Sequence, residues 1–299
     1  MERFENVLKE KLDTLLVGSH PLISDAVRYA VLSGGKRLRP KLVYEFCRIC
    51  GGKFENADSA AAAIEFIQCY SLIHDDLPCM DDDELRRGKP SCHAVYGEAV
   101  ALLAGDSLGS LSAESITSDN FLSDTQKIKI IEIMNRLSGI RGMIGGQILD
   151  MIYGQENNPY IDTPGLGEAP KPSLSDIERM YCLKTGALLS AACQIGCICA
   201  DAGISQQTLE YADSFAQKLG LAYQIEDDIL DVEGDESVLG KPLHSDEDNG
   251  KLTYLRFASI DEAKSRSEQL TAEAIAILQN FPDNERLVDI TKRLLSRTK

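Results

Sequence analysis

The stretch Leu219-Gly220-Leu221-Ala222-Tyr223-Gln224-Ile225-Glu226-Asp227-Asp228-Ile229-Leu230-Asp231 decides how this chain is read. Its apolar residues continue a pattern that begins at Leu209, with Ala212, Phe215, Ala216, Leu219, Ala222 and Tyr223 at the spacing of one helix face. On that helix Asp227 and Asp231 are four residues apart and share a face, and Asp228 lies about 100° round at its edge. Like charges so placed weaken a helix. A solvated acidic face is the plain reading, but Ile225, Ile229 and Leu230 surround the acids. Carboxylates in apolar company call for a cation, and hard divalent ions with oxygen ligands meet that need.

A second acidic cluster lies upstream: His74-Asp75-Asp76-Leu77-Pro78-Cys79-Met80-Asp81-Asp82-Asp83-Glu84-Leu85-Arg86-Arg87-Gly88-Lys89. The run Ala60-Ala61-Ala62-Ala63-Ile64-Glu65-Phe66-Ile67 is rich in helix formers and leads into it. Pro78 lacks a backbone donor and ends or kinks that helix near Asp76–Leu77. Acids at a helix C-terminus oppose the dipole unless a cation is near. Arg86 and Arg87 follow at once, and paired arginines offer bidentate contacts to phosphate oxygens, although they also balance surface charge. Two such clusters facing one cavity would hold a strongly anionic ligand through bridging metals.

Two smaller basic motifs accompany them. Gly34-Gly35-Lys36-Arg37-Leu38-Arg39-Pro40 sets three cations behind two glycines that let backbone approach an anion. It lacks the GxxxxGK[ST] spacing of a P-loop. Lys184-Thr185-Gly186 precedes the small residues of Ala187–Ala192, which points to close helix contact. A lysine there either snorkels or meets an anion.

The remaining features are permissive. The chain has 299 residues and a net charge of −16. Such acidity argues against a nucleic acid partner and against docking on an anionic membrane. The charged Met1–Lys11 segment has no apolar centre of a signal peptide, and no run of about 18 uninterrupted apolar residues marks a membrane span. Cytoplasmic location is the expectation. Of nine cysteines, Cys47 and Cys50 form a CxxC, and Cys193, Cys197 and Cys199 lie in an apolar run. No second ligand pair accompanies the CxxC, so reduced cysteines acting as small hydrophobes are expected.

The pattern is helical nearly throughout. Lys127–Leu137 repeats the helical spacing, alternation of the strand type is scarce, and no Asn-Gly hairpin joins apolar runs. Breaks fall at Ser33–Gly35, over Pro159–Pro172 with its four prolines, and over the acidic Val232–Asn249. Ser173 with Asp176 three residues on has the form of a helix start. One all-α domain spanning residues 1–299, of about ten or more helices, is expected.

A phosphohydrolase built on His74-Asp75 would need further histidine ligands, and only His20, His93 and His244 remain. A helical calcium-binding protein would need the EF-hand order of acids and glycine, which neither cluster has. Taken together, DDxxxxD at Asp75–Asp81 with LRRG at Leu85–Gly88, KTG at Lys184–Gly186 and QIEDDILD at Gln224–Asp231 resemble the trans-isoprenyl diphosphate synthases of the polyprenyl synthetase family. The resemblance runs from Gly34 to beyond Lys241. It implies a helical bundle around a deep central cavity, the isoprenoid synthase fold, in a homodimer.

By that resemblance an allylic diphosphate binds through Mg²⁺, with Mn²⁺ as a substitute. Asp75, Asp76 and Asp81 hold the metal on one wall and Asp227, with Asp228 and Asp231, on the other. Arg86, Lys184 and Lys241 add direct contacts. Isopentenyl diphosphate sits on Gly35, Lys36, Arg39 and Arg87, with Gln68 where bacterial members often carry histidine. Thr185 and Gln224 face the allylic cation. The usual KSTY run reads Lys251-Leu252-Thr253-Tyr254 here. Tyr70 and Ser71, five and four residues before Asp75, would line the path of the growing chain. An aromatic residue there, with Pro78 and Cys79 as a two-residue insertion in the first motif, resembles bacterial farnesyl diphosphate synthases. A geranylgeranyl product is the alternative, and a terpene cyclase, which would not need the Gly34–Pro40 cations, is more remote.

Overall fold

The computed structural model describes residues 2–154, 171–233 and 252–295. These residues fall into two compact units. One comprises residues up to Met134 together with Ala192–Ser205, and the other Asn135–Ala191 with the chain from Gln206 onward. The described residues form thirteen α-helices: α1 (Glu2–Leu15), α2 (Pro21–Val31), α3 (Leu38–Ile49), α4 (Phe54–Asp75), α5 (Cys92–Tyr96), α6 (Glu98–Thr117), α7 (Asp124–Ser138), α8 (Met143–Tyr153), α9 (Leu174–Tyr181), α10 (Ala187–Ala200), α11 (Gln206–Glu233), α12 (Ile260–Leu278) and α13 (Glu285–Leu295). The all-α expectation holds.

In the first unit, α4 runs between α3 and α6. Its apolar residues are spread round the helix rather than gathered on one side, and Ala60 to Ala63, Ile64 and Phe66 are fully buried. A helix that is apolar on several sides belongs in a core. The alanines let neighbouring backbones come close, and Ala101, Ala104 and Leu108 of α6 are likewise fully buried. Phe4, Leu8 and Leu12, spaced four residues apart, make a stripe that buries one side of α1. The strand content is one tight hairpin, β1 (Leu85–Arg86) antiparallel to β2 (Lys89–Pro90), with Leu85 opposite Pro90 and Arg86 opposite Lys89. Its two turn residues, Arg87 and Gly88, both have positive φ, 55° and 73°. That is the pattern of the turn most compatible with strand twist. The hairpin was not expected, because an Arg-Gly pair is a weak signal for a turn that Asn-Gly usually makes.

In the second unit, α11 lies along α12. Ile177, Met180, Tyr181, Ala222, Ile225, Ile229 and Tyr254 share its core. Ser173 and Asp176 close a reciprocal capping box at the start of α9, as the sequence indicates. Between α9 and α10 the helix widens into one π-turn over Cys182–Gly186. Two glycines permit close contact there. A Cβ on Gly220 of α11 would stand 2.8 Å from the Gly186 Cα, and one on Gly146 of α8 would stand 2.6 Å from the Lys184 Cα.

The continuous helical run Leu174–Ala200 is apolar and long enough to cross a membrane by composition. However, 78% of its apolar window is buried in the fold, which is how a core helix passes the same test. Most of the stretches expected as the loops Pro159–Pro172 and Val232–Asn249 lie outside the described residues. α11 itself reaches Glu233.

Candidate active site

The first unit assembles the upstream aspartates and most of the basic residues. Asp75 is the last residue of α4 and Asp76 its C-cap. After Pro78 the chain folds back, so that the Asp81 N–H donates to the Asp75 carbonyl at 2.9 Å and the Asp82 N–H to the Leu77 carbonyl at 3.2 Å. This coil sets the first and last aspartates of DDxxxxD side by side at one helix end. Asp76 is only 2% exposed. Its Oδ1 accepts from Arg86 Nε at 2.8 Å and from Nη2 of the same guanidinium, which also reaches Asp83 Oδ2 at 2.9 Å. Burial pushes the Asp76 carboxyl up from its ordinary range, and Arg86 opposes that rise.

The hairpin turn sends the next residue elsewhere. Arg87 Nη1 donates to the Gly34 carbonyl. The guanidinium lies so close to Gly35 that a Cβ there would meet it at 2.6–2.9 Å, and Gly35 itself has φ of +126°. Only glycine adopts that backbone easily. Of the three cations behind Gly34-Gly35, Lys36 is exposed and Arg39 half-buried, whereas Arg37 is 3% exposed and belongs to the core. Arg37 donates to Glu65 Oε1 at 2.6 Å, to Glu5 Oε1 at 2.9 Å and to the Val31 carbonyl at 2.9 Å. It therefore anchors the loop. A cleft in this unit is lined by Tyr29, Ser33, Asp76, Arg86, Arg87 and Lys89, among others.

Gln68, Tyr70 and Ser71 lie half-buried on α4. The Ser71 hydroxyl donates to the Gln68 carbonyl at 2.9 Å. The Tyr70 ring stands edge-on to His74, with centroids 5.3 Å apart. His74 in turn fills the space beside Gly105 of α6.

The second unit holds the rest. Lys184, inside the π-turn, pairs with Asp150 of α8 at 2.5 Å. The lysine therefore meets an anion, of the two readings its sequence allows. The Thr185 hydroxyl donates to Gln224 Oε1 at 3.0 Å, fixing the amide of the residue that opens QIEDDILD. The three aspartates of that motif divide. Asp227 is exposed, whereas Asp228 and Asp231 are 5% and 4% exposed. Asp228 Oδ2 accepts from the Tyr181 hydroxyl at 2.6 Å and from the Tyr254 N–H at 2.8 Å. Burial beside this carboxylate pushes the Tyr181 phenol far above its ordinary range. Asp150, Tyr181 and Tyr254 were not singled out from sequence. Their partners lie 26 to 47 residues away, and only the fold connects them. Lys241 and Lys251 lie outside the described residues.

Among the described residues no three His, Cys, Asp or Glu side chains converge on one point as a protein-only metal cage would require. The donors present are carboxylate oxygens near cations. That suits a hard ion that keeps waters, takes one or two carboxylates and is completed by phosphate oxygens.

The described residues combine a helical fold with two aspartate-rich segments, the first of them hydrogen-bonded to an arginine. The sequence model of the polyprenyl synthetases matches residues 20–294. Farnesyl diphosphate synthase of Haemophilus influenzae is 38% identical over 295 residues, covering 99% of this chain and 95% of its own. The Escherichia coli enzyme of the same name is 42% identical over 265 residues, covering 87% and 83%. The crystal structure of geranyltransferase from Helicobacter pylori complexed with magnesium and isoprenyl diphosphate is 30% identical, with a TM-score of 0.76 over 98% of this chain and 95% of that one. The chain belongs to the polyprenyl synthetase family, whose members are trans-prenyltransferases that bind diphosphates through divalent metal.

Proposed function

We propose that this protein condenses isopentenyl diphosphate head-to-tail with an allylic diphosphate, dimethylallyl or geranyl, to give farnesyl diphosphate. The observation that carries this reading is the divergence of two consecutive arginines. Arg86 turns to the Asp76 end of α4, and Arg87 turns to the Gly34-Gly35 loop. One hairpin thus carries two cations to different partners, one to a carboxylate and one to a glycine carbonyl, a division that two diphosphates with different fates would use.

Asp75, Asp81 and Asp227 are the residues that would hold Mg²⁺, or Mn²⁺ in its place. When bound there, the ion would supply the positive charge that offsets the departing diphosphate as the allylic C–O bond ionises. Arg86 and Lys184 are poised to exchange Asp76 and Asp150 for diphosphate oxygens. Lys36, Arg39 and Arg87 hold the diphosphate of isopentenyl diphosphate, which stays, with Gln68 as an amide donor beside them. The alkene attacks the allylic cation, toward which Thr185 and Gln224 present oxygens, and the departing diphosphate takes the proton. Homodimer formation accompanies this reading and is checked by light scattering.

The test is incubation with radiolabelled isopentenyl diphosphate, geranyl diphosphate and Mg²⁺. Farnesyl diphosphate is expected, and chelator should abolish it. No extended product, or product formed in chelator, would sink the proposal. Product formed without isopentenyl diphosphate would indicate a cyclase.

Tyr70→Ala removes the ring next to His74, one turn and a half before Asp75, and is expected to shift product toward geranylgeranyl diphosphate and longer. An unchanged chromatographic profile places the steric floor elsewhere. Gly35→Ala puts a methyl group against Arg87 and forces an L-residue to φ of +126°. It is expected to raise KM for isopentenyl diphosphate about ten-fold, or ~1.4 kcal/mol, with little change for the allylic substrate. Equal changes in both KM values would refute the assignment of this loop.

A further inference from the structure

Gly105 and Gly109 both lie inside α6, where glycine is unfavourable unless packing needs it. Gly109 faces open space. Gly105 does not. A Cβ there would overlap His74 Nε2 and stand 2.5 Å from His74 Cδ2 and 2.9 Å from His74 Cε1. The missing side chain is a notch that one imidazole occupies. His74 is held in it by a hydrogen bond from its Nε2–H to the Leu102 carbonyl at 3.0 Å. A carbonyl only accepts, so this bond also sets the tautomer of the ring.

These contacts decide where a second ring lies. A helical side chain leans back over the residue one turn before it, so on α4 the His74 ring meets Tyr70. The two rings stand edge to face, 5.3 Å apart at 80°. That geometry is directional, because the positive edge of one ring meets the negative face of the other. Tyr70 is half-buried, so packing on all sides does not fix its ring, and the contact with His74 has room to matter.

We propose, on the reading that Tyr70 is the steric floor of the reaction, that His74 is a positioning residue for product length: seated in the Gly105 notch, it holds the Tyr70 ring across the path of the growing prenyl chain. In this role His74 touches neither substrate nor metal. Gly105 admits the imidazole, the Leu102 carbonyl fixes its tilt, and the imidazole holds the phenol ring. Breaking any of these contacts lets the phenol ring turn aside and a further isoprene unit pass.

The test uses the full-length protein with radiolabelled isopentenyl diphosphate, geranyl diphosphate and Mg²⁺, and separates products by chromatography at matched conversion. His74→Ala and Gly105→Ala are each expected to raise the ratio of geranylgeranyl to farnesyl diphosphate about five-fold, the population change that loss of one aromatic edge contact allows. His74→Phe returns a ring to Tyr70 and should bring the ratio back toward wild type. In a Tyr70→Ala background both substitutions should change the ratio by less than about two-fold, because the ring they position is gone. If His74→Ala does not fold by circular dichroism, Gly105→Ala decides, since alanine favours the helix it would join. An unchanged ratio in the folded single variants, a shift to shorter products, or an equal effect with and without Tyr70 overturns the proposal. Tyr70→Ala tells the two readings apart. If it leaves the ratio unchanged, the steric floor falls and this role of His74 with it. If it lengthens the product while the His74 and Gly105 variants do not, only the role of His74 falls.

Discussion

Asp227→Ala is expected to lower kcat about a thousand-fold with an unchanged melting temperature, the order that several kcal/mol of lost charge stabilisation implies. Asp227 is the exposed member of its motif, so removing it takes nothing from the core. Asp228→Ala should behave differently. It strips the acceptor from the Tyr181 hydroxyl and the Tyr254 N–H, both buried in the core of the second unit. Leaving two such donors unsatisfied costs about 2–5 kcal/mol and should lower the melting temperature by about 5–15 °C. Asp228→Asn keeps a carbonyl acceptor and should restore most of the stability. Thermal unfolding and steady-state kinetics on the three variants separate the two roles. If Asp228→Asn is stable yet loses as much kcat as Asp227→Ala, then Asp228 ligates metal as well.

The second large effect is on the fold. Arg37→Ala is expected to destabilise the protein by about 3–5 kcal/mol, read from urea unfolding, because it leaves Glu65 charged and buried without its partner. The side chains of Arg37 and Glu65 are 1% and 3% exposed, and their 2.6 Å contact is accompanied by bonds to Glu5 and the Val31 carbonyl. Replacing both, as Arg37→Leu with Glu65→Leu, should recover much of the loss, since the desolvation cost of the pair disappears with it. A single variant within about 1 kcal/mol of wild type, a typical surface effect, contradicts this account. Arg37 also holds a left-handed φ of 48° at the entry to α3. Losing its anchor should loosen Lys36 and Arg39 on either side.

These two cases show where the sequence was readable. Helix-forming composition placed α4 and periodicity α11, and Pro78 marked the end of α4 and Ser173 the start of α9, because composition, spacing, missing donors and caps are local properties. The aspartates, the arginines and the lysine of KTG could be singled out by type and order alone. What could not be read is which of them the fold consumes. Arg37, Lys36 and Arg39 look equivalent in a line of letters, and burial alone distinguishes them. Asp227 and Asp228 are adjacent, and only the arrival of Tyr181 and Tyr254 assigns one of them to the core. The Arg87–Gly88 turn escaped for another reason. Its positive φ at an arginine is a conformation the residue accepts only under tertiary constraint, at about 1–2 kcal/mol.

The π-turn at Cys182–Gly186 has a further consequence. One surplus residue in a helix advances the angular phase of everything after it by about 100°. Leu174–Tyr181 and Ala187–Ala200 are therefore two rulers joined out of step, and no single helical wheel describes them. Deleting one residue of the turn would heal the hydrogen-bond ladder while rotating Lys184 and Thr185 away from Asp150 and Gln224. Here a regular helix would be the defective one.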